Sequence, residues 1–573
     1  MTRPTALCSF RFPLGAALAV AFFVGLPSPA RAQNQTWYEL DESFVNANEH
    51  WGESVALLPD MNSDGHAEMI IGGPQDSGIG SAYIISGKAP HTPLKVFHGN
   101  NSGDTFGQVV ALAGLVNGDS VPDVLVSAPR ADVFTGPFPY TDAGVVTLYN
   151  GATGAVIRTF VGSGTSARFG DALAGNADVT GDGKPDVLIG APHWDDLGSS
   201  HTNAGYVELY NGSTGALLAR HEGVRADDLF GWSVAFLGDM NGDGRSEYAV
   251  GAPGEDLIDL FPPFHLREDA GTVRVYDGAV HTLIGEEFGQ EFQNLGTAVC
   301  AAGDTDGDSA REVLVGAPGG GTFGFGPGHA TLFEGSTLKF VRTYDGIMSA
   351  EAFGTWVSVA GDVDKDGHGE LAIGGTEAGV ISGGGFVRVF DGQDAHLVKT
   401  HDFLTGSGVG VHASFDGGRD VNNDGWPDLL VGRPDSDGAA SNAGGALCLG
   451  QLHFQPDIGF QGPHFANFSI FGGQLASGSK ADFKLTGAPF NGSPFLLLSA
   501  GLGFASFKGG TLVPSLAGSV LLTFPQLPTG NLLLPSIPGG GGPVNIHAQF
   551  IIAGYAGSEP IGLSNALTIQ LEP

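Results

Sequence analysis

The chain has 573 residues, too many for one ordinary compact core, so several domains or a repeat architecture is expected. Acids outnumber bases 61 to 25, a formal net charge of −36, which argues against nucleic acid or an anionic membrane surface and makes cations the natural partners. With 94 Gly and 33 Pro the chain must turn often, yet 42% apolar residues exclude a disordered polypeptide.

The N-terminus carries Arg3 and Arg11, an apolar run over 13–26, and small residues at Ala30 and Ala32. These are the parts of a secretory signal peptide over residues 1–32, with cleavage expected after Ala32. A transmembrane anchor would need about 20 apolar residues, and no later segment is long and apolar enough to span a bilayer. A secreted or cell-surface location follows, and with it no membrane span. Beyond the signal only Cys300 and Cys448 remain. Both fall in predicted strands of non-adjacent repeats, so two buried thiols are expected, though a single bridge stays open.

From residue 60 onward one pattern recurs. Its copies are DMNSDGHAEMIIGGP (60–74), LVNGDSVPDVLVSAP (115–129), DVTGDGKPDVLIGAP (178–192), DMNGDGRSEYAVGAP (239–253), DTDGDSAREVLVGAP (304–318), DVDKDGHGELAIGGT (362–376) and DVNNDGWPDLLVGRP (420–434). An aromatic or apolar residue followed by Gly precedes each copy, as at Trp51-Gly52, Phe169-Gly170 and Phe353-Gly354. An alternating strand such as GTVRVYDG (271–278) follows most copies, with a tight turn and a weaker outer strand behind it. The apolar run after each loop is continuous, as in a strand covered on both faces. Four strands in about 60 residues, covered on both faces, make a propeller blade. Seven copies make an all-β, seven-bladed β-propeller over 33–454. Repeat seven lacks a fourth strand, and the orphan TWYELD (36–41) is expected to supply it and latch the ring. The alternative is a disordered N-terminal tail.

The acidic loops place side-chain oxygens at positions one, three, five and nine, with Gly at six permitting the bend. Calcium takes six to eight oxygens in irregular geometry, whereas zinc would call for Cys or His. About six calcium sites are therefore expected. They comprise Asp60, Asn62, Asp64 and Glu68; Asp178, Thr180, Asp182 and Asp186; Asp239, Asn241, Asp243 and Glu247. The later three comprise Asp304, Asp306, Asp308 and Glu312; Asp362, Asp364, Asp366 and Glu370; Asp420, Asn422, Asp424 and Asp428. Metal-free Asx-rich hairpin loops are the alternative. In the second copy Leu115 and Ser120 replace the first Asp and the Gly, so weak or no binding is expected there.

The aromatic-Gly pair, the acidic loop and the GAP ending together resemble FG-GAP repeats, which form the seven-bladed propeller of integrin alpha subunits. The resemblance implies calcium in the loops and partner recognition on the opposite face, but transfers no ligand. A secreted phospholipase D family also carries this propeller, but its zinc-bearing catalytic domain has no counterpart in this sequence.

Strand parity independently puts the acidic loops and the NGxTG turns on one face and the long loops on the other. Those long loops carry Phe138, Tyr140, Trp194, Phe261, Phe264 and Arg267, residue types enriched at binding hot spots. They make a candidate ligand-binding face for an extracellular protein or polysaccharide, although the aromatics would also serve to pack their own loops. Residues 455–573 lack acidic loops and read as a small C-terminal antiparallel β-sandwich. No catalytic residues are identified, because no G-x-S-x-G, H-E-x-x-H or phosphate loop is present. His193, Asp195 and His201 cluster on one loop without visible supporting partners. The expected function is a secreted binding or adhesion module, a monomer, with a polysaccharide-acting enzyme as the alternative. Sequons begin at Asn34, Asn100, Asn211, Asn467 and Asn491, so the chain also has acceptor sites for a glycoprotein.

Overall fold

The computed structural model describes residues 37–39, 50–134, 138–196, 198, 201–258, 266–305, 311–319, 326–335, 337–348, 351–363, 367–376, 385–403, 414–423, 425–434, 444–449 and a set of strands between 467 and 571. The signal-peptide segment lies outside these residues.

Seven four-stranded antiparallel sheets follow one another along the chain. Blade 4 is representative: Ser233–Gly238, Glu247–Ala252, Thr272–Tyr276 and Leu283–Phe288 pair in sequence order. The first strands of successive blades lie against one another, and Val55–Leu58 of blade 1 meets Phe415–Arg419 of blade 7, which closes the ring. Blade 7 takes its fourth strand from the other end of the chain, as expected. Trp37, Tyr38 and Glu39 pair with Leu449, Cys448 and Leu447.

Among the described residues the core is distributed as seven apolar clusters, one at each junction between blades. Second strands feed two clusters at once. Val187 and Ile189 pack toward blade 2, while Leu188 between them packs toward blade 4. That double duty explains the unbroken apolar runs, since alternating residues point to opposite faces and both faces are covered.

The two glycine-containing signals are halves of one contact. Gly231 donates its N–H to the Gly251 carbonyl within blade 4 at 3.0 Å. Its own carbonyl faces Gly190 of blade 3 so closely that a Cβ at 190 would sit 2.1 Å from the oxygen. No side chain fits there, so the Gly of one GAP and the Gly of the next aromatic-Gly pair are required together. The preceding aromatics, Phe169, Phe230 and Phe353, are fully buried beneath these contacts.

Neither Cys300 nor Cys448 is in a disulfide. Cys448 is buried as expected, but Cys300 is only half-buried because it lies on a first strand, and burial still pushes its thiol up to about 12.

Toward the C-terminus, Asn467–Phe471, Lys480–Thr486 and Leu532–Pro538 form one antiparallel sheet. Val520–Thr523, Ser493–Ser499, Val544–Ala553 and Pro560–Leu571 form a second, and Leu502–Phe507 pairs with Gly510–Pro514. Antiparallel strands are what the apolar runs of this region predict, and the last two reach 10 and 12 residues. Among the described residues no helix is long and apolar enough to cross a membrane.

Candidate metal loops and the opposite face

Each acidic loop joins the first and second strands of its blade. In the first copy Asp60 Oδ1 accepts the N–H of Ser63 at 2.7 Å, and Oδ2 accepts that of Gly65 at 2.9 Å. Asn62 Oδ1 accepts the N–H of Asp64, and Asp64 Oδ1 that of His66. The loop therefore curls around its own carboxylates. Two residues adopt left-handed backbone to allow it, Ser63 at φ 63° and Gly65 at φ 87°. The same pair recurs as Gly181 and Gly183, Gly242 and Gly244, and Asn423 and Gly425. The demand at position four was missed in the sequence, although Ser, Gly, Gly and Asn there are the types that tolerate this region.

The acid at position nine opens the second strand and is buried at every copy: Glu68, Asp123, Asp186, Glu247, Glu312, Glu370 and Asp428. Burial, reinforced by the charges of Asp60 and Asp64, pushes the Glu68 carboxyl up to about 7. Burial likewise raises Asp186 and Glu247. Glu68 Oε1 has no hydrogen-bond donor despite being buried. Ligand oxygens of Asp60, Asp64 and Glu68 lie within 4.8 Å of one another, as do those of Asp243, Glu247 and Asp277. An orphaned buried oxygen beside the exposed Asp60 and half-buried Asp64 carboxylates, all hard oxygen donors, fits a calcium-type cation.

The structure adds residues at the turn between third and fourth strands. Asp277 joins Asp243 and Glu247, and Asn211 Nδ2 donates to Asp182 Oδ2 at 3.0 Å. Their common signal is the residue before Gly in YNG and YDG, which marks the end of the third strand. These contacts bring acidic loops and tight turns to one face, as strand parity requires.

The second copy differs as its sequence implies. Asn117 donates through both N and Nδ2 to Asp123, Gly151 N–H donates to Asp123 Oδ1, and Asn150 Nδ2 donates to Asp119. The turn contacts match those of the third copy, where Asn211 Nδ2 donates to Asp182 and Gly212 N–H to Asp186, so the difference lies at position one, where Leu115 stands exposed in place of the first acid. In the fifth, sixth and seventh copies Asp306, Asp308, Asp364, Asp366 and Asp424 lie outside the described residues. Their partners Asp304, Glu312, Asp362, Glu370, Asp420, Asn422 and Asp428 hold the equivalent places, with Gly367 donating to Asp362 and Gly425 to Asp420.

On the opposite face the predicted residues divide. Phe138 is 81% exposed and Tyr140 42%, and Phe134 beside them is 75% exposed. Val133 and Tyr140 exchange both backbone hydrogen bonds and so pin the base of that loop. Trp194 is instead half-buried, edge-on to Tyr206 at 5.6 Å and under the Arg220 guanidinium at 5.0 Å. Arg267 pairs with Leu257 in a two-residue ribbon, and Phe261 and Phe264 lie outside the described residues. Of the histidine cluster, His193 is half-buried with Nδ1 3.2 Å from Asn203 Oδ1, and Asp195 accepts the Asn203 N–H. Those contacts tie the loop together locally.

Comparison with known proteins agrees with this architecture. A family profile described as FG-GAP repeat matches residues 169–209 and 230–281. Human integrin alpha-IIb is 32% identical over 233 residues, covering 36% of this chain and 20% of its own length. Integrin alpha-4 of Xenopus laevis is 33% identical over 230 residues (37% and 21%), and integrin alpha-PS5 of Drosophila melanogaster 29% over 202 (33% and 19%). The chain thus spans about a fifth of the length of these relatives.

Proposed function

We infer that this FG-GAP propeller, similar in sequence to the integrin alpha subunits, is an exported binding or adhesion module stabilised by calcium. The observation that carries the inference is the division of labour between its faces. One face gathers carboxylates around a buried acid at each loop's ninth position, and at Glu68 one buried oxygen lacks a donor. The other presents Phe134, Phe138 and Tyr140 to solvent on a loop with an anchored base. Exposed aromatics on a rigid scaffold suit recognition of a protein surface or a sugar ring.

Calcium would bind at six loops through the residues at positions one, three, five and nine, and would neutralise carboxylates that otherwise repel one another at close range. Its role is to hold the hairpins; no chemistry is assigned to it. The ligand is an extracellular protein or polysaccharide, and the module acts as a monomer outside the cell after removal of residues 1–32. Residues 33–454 form the propeller and 455–573 a separate sandwich.

Probing arrays of glycans and extracellular proteins with the mature chain, in calcium and in chelator, tests the proposal. Retention that requires calcium and leaves the ligand unchanged is expected. Turnover of an arrayed polysaccharide would replace the binding module by an enzyme.

A further inference from the structure

We propose that Asp228, Glu255 and Thr272 hold a divalent cation of the calcium class at the junction of blades 3 and 4, on the face opposite the acidic loops. Asp228 lies in the connection entering blade 4, two residues before Phe230-Gly231. Glu255 lies two residues after Pro253 in the loop leaving the second strand. Thr272 opens the third strand. Strand and loop connectivity places all three at the same end of the blade.

All three are at least nine-tenths buried, with relative exposures of 1%, 3% and 0%. Each keeps one oxygen without a hydrogen-bond donor: Asp228 Oδ1, Glu255 Oε2 and Thr272 Oγ1. The other oxygens of the two acids are engaged. Asp228 Oδ2 accepts the N–H groups of Val224 and Arg225 at 3.0 and 2.8 Å, and Glu255 Oε1 accepts Arg274 Nη2 at 2.7 Å. Thr272 and Arg274 are two apart on one strand, so both side chains leave the same side of the sheet. That side faces blade 3, because Tyr276 on the same row packs there and Arg274 sits over Phe230. Burial and the neighbouring charge of Glu255 push the Asp228 carboxyl up to about 6, as expected for two carboxylates facing one another.

Blade 6 supplies an internal control. Its third strand carries Arg388 where blade 4 has Arg274, and Glu351 stands two residues before Phe353-Gly354 where blade 4 has Asp228. There the pair is complete: Arg388 Nη1 and Nη2 reach Glu351 Oε2 and Oε1 at 3.1 and 2.8 Å, and Ile347 N–H caps Oε2 at 2.7 Å. One acid meets one guanidinium. In blade 4 the additional Glu255 draws the arginine to itself and leaves Asp228 without it. Arg274 is also shared with Glu286 at 3.2 Å. Three carboxylates against one guanidinium leave a deficit of two positive charges, which a divalent cation makes good. Its donors are carboxylate and hydroxyl oxygens, the set that calcium prefers. Such an ion would staple the entry of blade 4 to its long loop.

The test measures bound calcium by mass spectrometry on the full mature chain after dialysis against excess calcium. Asp228→Asn and Glu255→Gln are each expected to lose one equivalent, Asp243→Ala in an acidic loop to lose another, and Asp228→Asn with Asp243→Ala to lose two. A loop that binds nothing leaves the Asp243→Ala count unchanged while Asp228→Asn still falls, so the two failures are distinct. Melting supplies the second readout. In chelator Asp228→Asn should match or exceed the parent Tm, because it removes a buried repulsion; in calcium it should fall below. An unchanged calcium count in Asp228→Asn, or a variant more stable in both buffers, overturns the proposal and leaves the pair sharing a proton or water.

Discussion

The backbone N–H of Met61 donates to Glu68 Oε2 at 2.5 Å, joining the second residue of the first acidic loop to its ninth. The same bond recurs from Val179 to Asp186 at 2.9 Å, Met240 to Glu247 at 2.6 Å, Thr305 to Glu312 at 2.6 Å, Val363 to Glu370 at 2.5 Å and Val421 to Asp428 at 2.7 Å. It fixes one oxygen of a buried carboxylate to the backbone; at Glu68 the other oxygen is left without a donor, while at Asp186 it accepts the Gly212 N–H of the neighbouring turn. Asp and Glu both make this bond, at 2.7 and 2.9 Å for Asp and 2.5 to 2.6 Å for Glu.

Removing calcium should therefore expose a charge problem with a definite pH dependence. In the cation-free protein Glu68 is raised from its ordinary value to about 7. A group whose folded pKa lies above its unfolded one gives stability that is complete below the unfolded pKa and is lost as pH rises through the folded value. In chelator, this contribution should make Tm fall between about pH 4.5 and 7. In calcium the trend should flatten or reverse, since the cation requires the carboxylate, and Tm should be higher throughout the neutral range. Isothermal titration should count about six loop sites. Equal melting curves in calcium and chelator at pH 7.5 would refute metal stabilisation of the loops.

A second prediction concerns the backbone of the loop. Gly244 has φ 85°, and a Cβ added there meets no atom within 4 Å. Gly244→Ala therefore tests conformation without a clash, and should destabilise the protein by about 1–2 kcal/mol. Calcium affinity at that one loop should fall while the other sites titrate as before. Denaturant melts and titration of the same preparation check both. A variant with parental stability would mean the loop relaxes to another turn without cost.

Ring closure was legible in the sequence because repeat seven visibly lacked a strand and an orphan stood at the other end. The seven blades and the two faces were legible for a similar reason, since period-two alternation and strand parity are local signals. What escaped depends on contacts between distant segments. Trp194 has the composition of a hot spot, yet its environment is set by Tyr206 and by Arg220 from the fourth strand. Asp277 looks like an ordinary turn residue until the third strand delivers it to Asp243. The Asp228, Glu255 and Arg274 arrangement joins three segments over 47 positions and has no contiguous motif.

The latch gives a third prediction. Deleting 33–41 removes the strand Trp37–Glu39 and leaves Ala446–Leu449 as an open edge. An unpaired edge recruits other chains, so the truncated protein should aggregate, and its melting should broaden as the ring loses its closure. Light scattering during a thermal ramp reads both. A truncated chain that stays monodisperse and melts as sharply as its parent would show that the pairing contributes nothing to the fold.

The final prediction separates recognition from packing on the aromatic face. Phe134, Phe138 and Tyr140 project from a loop whose root is held by the Val133–Tyr140 bonds and by buried Ala131 and Val133. Replacing the three aromatics with Ala leaves that root intact, so Tm should move by no more than a degree or two. Binding to the ligand found on the array should be lost, since interfacial aromatics that become buried on binding commonly contribute about 2 kcal/mol or more each. Trp194→Ala should behave in the opposite way. It removes the ring that Arg220 and Tyr206 pack against, so stability falls first and affinity follows only as the rim loosens. Measuring Tm and affinity for both variants distinguishes the two causes, because an unfolding effect lowers both together. If the triple variant binds as the parent does while deletion of 455–573 abolishes binding, recognition belongs to the C-terminal strands and the propeller serves as their scaffold.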